Sequence, residues 1–332
     1  MSNEPQSVSD SLQRNEFVVR KERLYGRLIA ASAVLTILVT VGIILSLSGH
    51  ALTFWREISP IAFFTGTNWS PVIGNSYGVL PLVSGTLIVT VCSALIALPV
   101  GLAAAIYLSE YASDRVRSLL KPSLEVLAGV PTVIYGYMAL VYVTPLVDSV
   151  LPLSVPLVPS GLPLFPEFTL VVPSLRTFNA MSASIVVGIM IIPMVASISE
   201  DAMSAVPDEL RQAGYGMGAT KFDVATGVVV PASLSGIFSS FILALSRAIG
   251  ETMAVTIAAG SRAQFLNPLN PASYLEGALP MTAAMVQLLT GDITGGGLAY
   301  RSLFAIGLVL FVITLVMNII SDFVAQRYRE EY

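Results

Sequence analysis

Residues 28–47 (LIAASAVLTILVTVGIILSL) run for 20 residues without a charged side chain. A helix of about that length crosses the roughly 30 Å hydrocarbon layer of a bilayer, where backbone amides must be satisfied within the segment itself. Comparable apolar runs recur at 82–108, 124–147, 180–198, 234–258 and 303–320. The expected fold is therefore all-α, a polytopic membrane protein with six transmembrane helices. Only 11% of the 332 residues are charged, against about 25% in water-soluble domains. Cys92 is the single cysteine and lies in an apolar run, which rules out an intrachain disulfide framework and a thiolate metal site. No metal site is expected, and no basic patch interleaved with aromatics points to nucleic acid.

Residues 1–27 are polar and carry Arg14, Arg20, Lys21, Arg23 and Arg27, and the first membrane helix is placed at 28–49. Gly49-His50-Ala51 has a small-x-small shape, but the long basic leader and full spanning length favour an uncleaved helix over a signal peptide. Residues 50–81 read as an external loop with Trp55 and Trp69 at the membrane interface. Helices two to five fall within 82–258, where Ser84, Gly85, Gly101 and Ala103 suit close helix contact. Residues 110–121 read as a short loop, Glu110 just beyond the second helix and Glu125 near one end of the third. Pro131 falls where that third helix would kink, with Gly136 as a packing position beside it; Glu125, Pro131 and Gly136 are candidate gating or packing residues. Six prolines between 148 and 174 break any span there. Residues 259–302 form a second external loop whose apolar piece, 279–289, is too short to span and reads as an interfacial or re-entrant helix. The sixth helix at 303–320 and a polar tail at 321–332 complete the chain. Of the 17 basic residues, 12 fall on the side that holds the leader, the 110–121 and 199–225 segments and the tail. The positive-inside bias places that side, and both termini, in the cytoplasm.

The cytoplasmic segment 199–225 carries five charged residues between 200 and 211 and then PDELRQAGYGMG at 207–218. Its Ala and Gly content, closed off by charges and Pro207, predicts a short helix outside the bilayer that presents a small, packable face to a soluble partner. In the fifth apolar run Arg247 and Glu251 stand four residues apart. Charges inside a membrane are expensive and mark transport paths. At that spacing they can also face each other and partly neutralise, and a purely structural ion pair is the competing reading. The Gly-x-x-x-x-Gly-Lys-Ser/Thr phosphate loop is absent, so ATP hydrolysis by that route needs a separate subunit.

The run from Gln212 to Pro231 resembles the conserved loop of ABC-importer permeases, Glu-Ala-Ala, three residues, Gly, nine residues, then Ile-x-Leu-Pro. The matching positions are Gln212-Ala213-Gly214, Gly218, Val228, Val230 and Pro231. Gln212, Gly214, Val228 and Val230 depart from the pattern in residue type, while the Gly218-to-Pro231 spacing is intact. Longer blocks resemble the PstC-type permease subunits of phosphate ABC importers and, less closely, their PstA-type sisters. These are FFTGTNWSP (63–71), GTLIVTVCSALIALPVGLAAAIYLSEYA (85–112), EVLAGVPTVIYGYMALVYVTP (125–145), GIMIIPMVASISEDAMSAVP (188–207) and LSRAIGETMAV (245–255).

The resemblance implies a type I ABC importer permease fold and a plasma-membrane location in a prokaryote. It implies a permease that is not itself catalytic, works with a PstA-like second permease, a dimer of cytoplasmic ATPase subunits and an external phosphate-binding protein, and moves inorganic phosphate inward by alternating access. No cofactor is bound by this chain, and ATP belongs to the partner subunit. Pro207, Gln212, Ala213, Gly214, Gly218 and Pro231 would then couple to the ATPase, and Arg247 with Glu251 would line the substrate pathway. The oxyanion fits Arg247, because a guanidinium offers several directed donors. Permeases for phosphonate, sulfate or molybdate, an ATP-independent channel or secondary transporter, and a non-transporting sensory or scaffold subunit are the alternatives.

Overall fold

The computed structural model describes residues 16–150, 154–156, 169–171, 175–291 and 295–327. The first fifteen residues, most of the 148–174 loop and the last five residues lie outside the described residues. Among the described residues five helices are long and apolar enough to cross a membrane, and a bent pair makes a sixth.

The first helix, α1 (Glu16–Glu57), extends ten residues beyond Leu47. Much of the expected external loop is therefore helical, and the rest is packed. A short helix α2 (Pro60–Thr65) and a two-stranded hairpin, β1 (Trp69–Ser70) with β2 (Ser76–Tyr77), fold back over the end of α1. Phe54, Phe63, Trp69 and Tyr77 are buried there, with the Phe54 ring edge-on to Phe63 and Tyr77 at 5.5 and 5.4 Å. Trp69 is thus a core residue rather than an interfacial anchor, because aromatic edge-to-face packing holds its sheet against the helix. Elsewhere α1 is exposed along most of its length and packs against the last helix, α15 (Leu298–Arg327).

The second span, α3 (Leu80–Ile106), runs on as a π-helical turn over Tyr107–Tyr111. It packs against α7 (Ala180–Ser204), the pair at the centre of the molecule. Their backbones approach closely at Gly101, where a Cβ would stand 2.7 Å from Val195 Cβ. Without a hydrophobic drive between helices in lipid, such small-residue contacts supply the association.

Residues 110–121 are not a loop. Ser113 precedes a 15-residue helix, α4 (Asp114–Ala128), with charged and apolar faces. The third span accordingly begins later, as α5 (Thr132–Met138), a π-helical stretch Ala139–Val143 and α6 (Thr144–Val150). Pro131 stands just before α5, where it separates two helices and does not kink one. Within the proline-rich loop, β3 (Ser154–Pro156) pairs antiparallel with β4 (Thr169–Val171).

The fifth span is built from pieces. α9 (Lys221–Val224), a π-helical stretch Ala225–Val229 and α10 (Val230–Ala232) lead to Ser233, where the axis bends by 72° into α11 (Leu234–Ile249). The helix stops at Gly250 and restarts as α12 (Met253–Ala258). After a short turn, α13 (Ala272–Leu275), comes α14 (Met281–Thr290), ten residues or about 15 Å at 1.5 Å per residue. It is below spanning length and buries Met281, Ala283, Ala284 and Leu288 against its neighbours.

Candidate functional site

Pro207 opens α8 (Asp208–Gly216), and Asp208 and Glu209 in its first turn suit the positive end of the helix dipole. It ends at Gly218, which has φ +84°, a left-handed conformation that glycine adopts without steric cost. Thr220 and Asp223 then form a reciprocal capping box that starts α9. The helix predicted from 207–218 is therefore present.

Its faces are unlike one another. Gln212 and Ala213 are exposed, as are Gly216 and Gly218. Gly214 is buried and turned toward α9, where a Cβ would meet Val224 Cγ2 at 2.9 Å. Its small size serves a contact inside this chain. The apolar side chains presented outward are Tyr215, Met217 and Phe222, with Met217 88% exposed. Pro231 lies in α10, half-buried, two residues ahead of the bend at Ser233.

Arg211 fastens this helix to the rest of the molecule. Its Nε and Nη2 donate to Glu110 Oε1 at 3.3 and 3.1 Å, Nη2 donates to the Met203 carbonyl at 2.8 Å, and Nη1 to the Val206 carbonyl at 2.5 Å. Nη1 also reaches Asp208 at 3.2 Å. The side chains of Arg211 and Glu110 are only 14% and 4% exposed. Arg211 thus satisfies carbonyls at the end of α7 and joins α8 to the π-helical end of α3. The Glu110 carboxylate, placed by the sequence just beyond the second helix, is buried.

A second ionic cluster lies beside it. Glu200, fully buried near the end of α7, accepts from Arg117, from Lys121 at 2.7 Å and from Ser204 at 2.9 Å. Lys121 also pairs with Asp201, and Arg117 with Ser204. Burial works against the Lys121 charge, yet hydrogen bonds to Asp201 and Glu200 outweigh it and hold its pKa above the ordinary lysine value. Lys121 is therefore charged throughout the neutral range. Sequence reasoning missed this cluster. Arg117 and Lys121 stand four residues apart, which places them on one helix face, and Glu200 is an acid closing an otherwise apolar run. Glu125 lies on α4, not on the third span, in an open cleft it shares with Arg117 and Lys121.

Arg247 and Glu251 do not pair. Arg247 sits in the last turn of α11, whereas Glu251 lies past Gly250, so the helical register that would bring them together is broken. Glu251 is buried and accepts from the Ala254 amide at 3.2 Å, while its own carbonyl accepts from Thr282 Oγ1 at 2.7 Å. The carboxylate and α14 thereby satisfy backbone groups freed by the break, as irregular backbone at membrane depth requires. Arg247 is half-buried and has no hydrogen bond or ion pair among the described residues; its charge acts on Tyr135, whose hydroxyl donates to the Leu127 carbonyl at 3.0 Å. One residue along α5, Gly136 is a packing position: a Cβ there would stand 3.0 Å from both Ala254 Cα and Ile257 Cβ of α12. Pro131 is exposed. Among the described residues no group of three or more His, Cys, Asp or Glu could hold a metal ion.

The architecture is that of solved importer permeases. A chain of a bacterial ABC transporter that imports alginate superposes with a TM-score of 0.59 at 14% identity, covering 95% of this chain and 98% of that one. A chain of the methionine transporter MetNI, inward facing, gives 0.51 at 14% identity over 79% of this chain and all of its own. In sequence, the probable ABC transporter permease protein YqgH of Bacillus subtilis is 30% identical, with 98% of this chain and 97% of that protein aligned. The phosphate transport system permease protein PstC of Haemophilus influenzae is 33% identical over 90% of this chain and 91% of its own length. Its namesake from Mesorhizobium japonicum is 32% identical over 90% and 88%. The family model for the binding-protein-dependent transport system inner membrane component matches residues 97–330, and the chain belongs to that family, the non-catalytic permease subunits of ABC importers.

Proposed function

We propose that this chain is the PstC-type permease subunit of a phosphate importer, with Arg247 as the group that meets the oxyanion within the membrane. The observation that carries the reading is the state of Arg247. A half-buried guanidinium at a helix break, its neighbouring acid engaged elsewhere, keeps its donors available. Such a group in a membrane segment is costly unless something anionic meets it. The PstC-named relatives support phosphate as that anion.

In this reading the chain supplies half of the pathway, beside a PstA-like permease. The ATPase dimer docks on the face formed by Tyr215, Met217 and Phe222, on the cytoplasmic side, where both termini also lie. Closure of the ATPases on ATP moves α8. Arg211 passes that movement to α3 and α7 together, because it is bonded to both. An external binding protein delivers phosphate at the opposite face, and α11 and α12 change their relation across Gly250–Thr252 as access alternates.

The test is radiolabelled phosphate uptake in proteoliposomes, normalised to the assembled complex recovered. Arg247→Gln should abolish uptake and leave assembly intact, and Arg247→Lys, which keeps charge without the fork of donors, should retain part of it. Wild-type normalised uptake in Arg247→Gln would remove the oxyanion role. Uptake of sulfate, molybdate or a phosphonate in place of phosphate by the wild-type complex would replace the substrate.

A further inference from the structure

At the end of α7 remote from α8, a cavity of about 550 Å³ opens between the residues before α7 and those after α12. Arg176, Arg262, Thr177 and Ser261 line it, and no Asp or Glu does. The 25 residues of α7 separate it from α8 by about 37 Å at 1.5 Å per residue. The two features therefore lie at opposite faces of the membrane.

The backbone around the cavity is firmly held. Asn179 Nδ2 donates to the Arg176 carbonyl at 2.9 Å, and the Ala278 amide donates to the Ala259 carbonyl at 2.9 Å. Gly260 has φ +85°, and a Cβ there would stand 2.8 Å from Phe178 Cβ. The guanidiniums are less committed. Arg176 is exposed and has no side-chain hydrogen bond or ion pair among the described residues. Arg262, 52% exposed, reaches Glu276 only at 3.7 Å, while that carboxylate accepts from Gln264 at 2.5 Å. Lys and Arg are scarce on the non-cytoplasmic flanks of membrane proteins. Two arginines line one such cavity, with Glu276 beside Arg262 and Asp148 accepting from the Leu175 amide at 3.0 Å, and Arg176 has no side-chain partner among the described residues, so its charge is available to attract an anion.

We propose that this vestibule is an oxyanion antechamber, in which Arg176 and Arg262 hold phosphate between its release by the binding protein and its passage to Arg247. The assignment rests on the phosphate-import reading above. It needs no change of protonation, since guanidinium is charged at every relevant pH, and no covalent step. The ion keeps most of its hydration in a cavity of this size, so the site captures weakly and releases quickly.

The experiment uses the reconstituted importer with its binding protein and follows initial phosphate uptake as binding-protein concentration is raised. Because Arg176 and Arg262 are exposed, Arg176→Gln and Arg262→Gln should assemble normally. The double variant should lower the maximal rate about tenfold at saturating binding protein, each single variant less, and lysine at both positions should restore most of it. An unchanged maximal rate overturns the antechamber. So does a preserved maximal rate reached only at higher binding-protein concentration, because the arginines would then be docking a carboxylate of that protein. A wild-type complex that imports no phosphate sinks the functional reading itself; a double variant that imports as well as wild type sinks only the vestibule.

Discussion

Arg211→Ala is the most informative single change in the chain. It removes two bonds to Glu110 at 3.3 and 3.1 Å, one to the Met203 carbonyl in α7 at 2.8 Å and one to the Val206 carbonyl just past it at 2.5 Å. Glu110, 4% exposed, is then left with only the neighbouring Ser109 hydroxyl, at 2.8 Å. Truncating one partner of a buried ion pair costs about 3–5 kcal/mol, because the surviving charge is left uncompensated. Glu110→Gln should cost less, about 1–3 kcal/mol, since the amide oxygen still accepts from Arg211 and the guanidinium keeps Asp208 at 3.2 Å. If Arg211 carries the movement of α8 into α3 and α7, Arg211→Ala should break the link between hydrolysis and uptake, not either activity alone. The assay measures ATP hydrolysed per phosphate imported in proteoliposomes, with complex recovery as the control for folding. We expect that ratio to rise several-fold in Arg211→Ala, little in Glu110→Gln, and to be partly restored in Arg211→Lys. A wild-type ratio in correctly assembled Arg211→Ala would refute the transmission argument, leaving Arg211 as a local stabiliser.

Gly214→Leu should reduce recovery of the folded complex through overpacking against Val224, at a cost of about 1–3 kcal/mol, and Val224→Ala should relieve it. Failure of that rescue would show that the glycine answers to a partner after all. In a Cys92→Ser background, Ser261→Cys should react with an impermeant thiol reagent on intact cells and Met217→Cys only after the membrane is opened. The reverse pattern would invert the sidedness on which the docking and vestibule readings depend.

The membrane class, the spans beginning near 82 and 180, and the short helix after Pro207 are legible in the chain, whereas the first helix begins well before 28, at Glu16. Each is a local property: an apolar run of spanning length, or a Pro, acid and Gly pattern, reports itself in one dimension. The α4 helix was misread because charge density at 110–121 resembles a loop, and its partners are distant. Arg117 meets Glu200 across 83 residues, and Arg211 meets Glu110 across 101. Nothing in either local pattern names the partner, since any of several helix arrangements would satisfy the same hydropathy. The Arg247–Glu251 spacing misled for a related reason. An i,i+4 contact exists only while the helix continues, and Gly250 ends it.

Local patterns in the chain are enough to show that it crosses a membrane and where its short loop helix lies. Both follow from the cost of exposing amides and charges to hydrocarbon, which is paid residue by residue. Which face of α8 is free, that Gly214 packs against Val224, and that Arg247 does not pair with Glu251 emerge only from the packed fold. It alone brought Arg176 and Arg262 to one cavity. Those outcomes depend on how helices pack and where they break, and packing is settled by contacts between segments far apart along the chain.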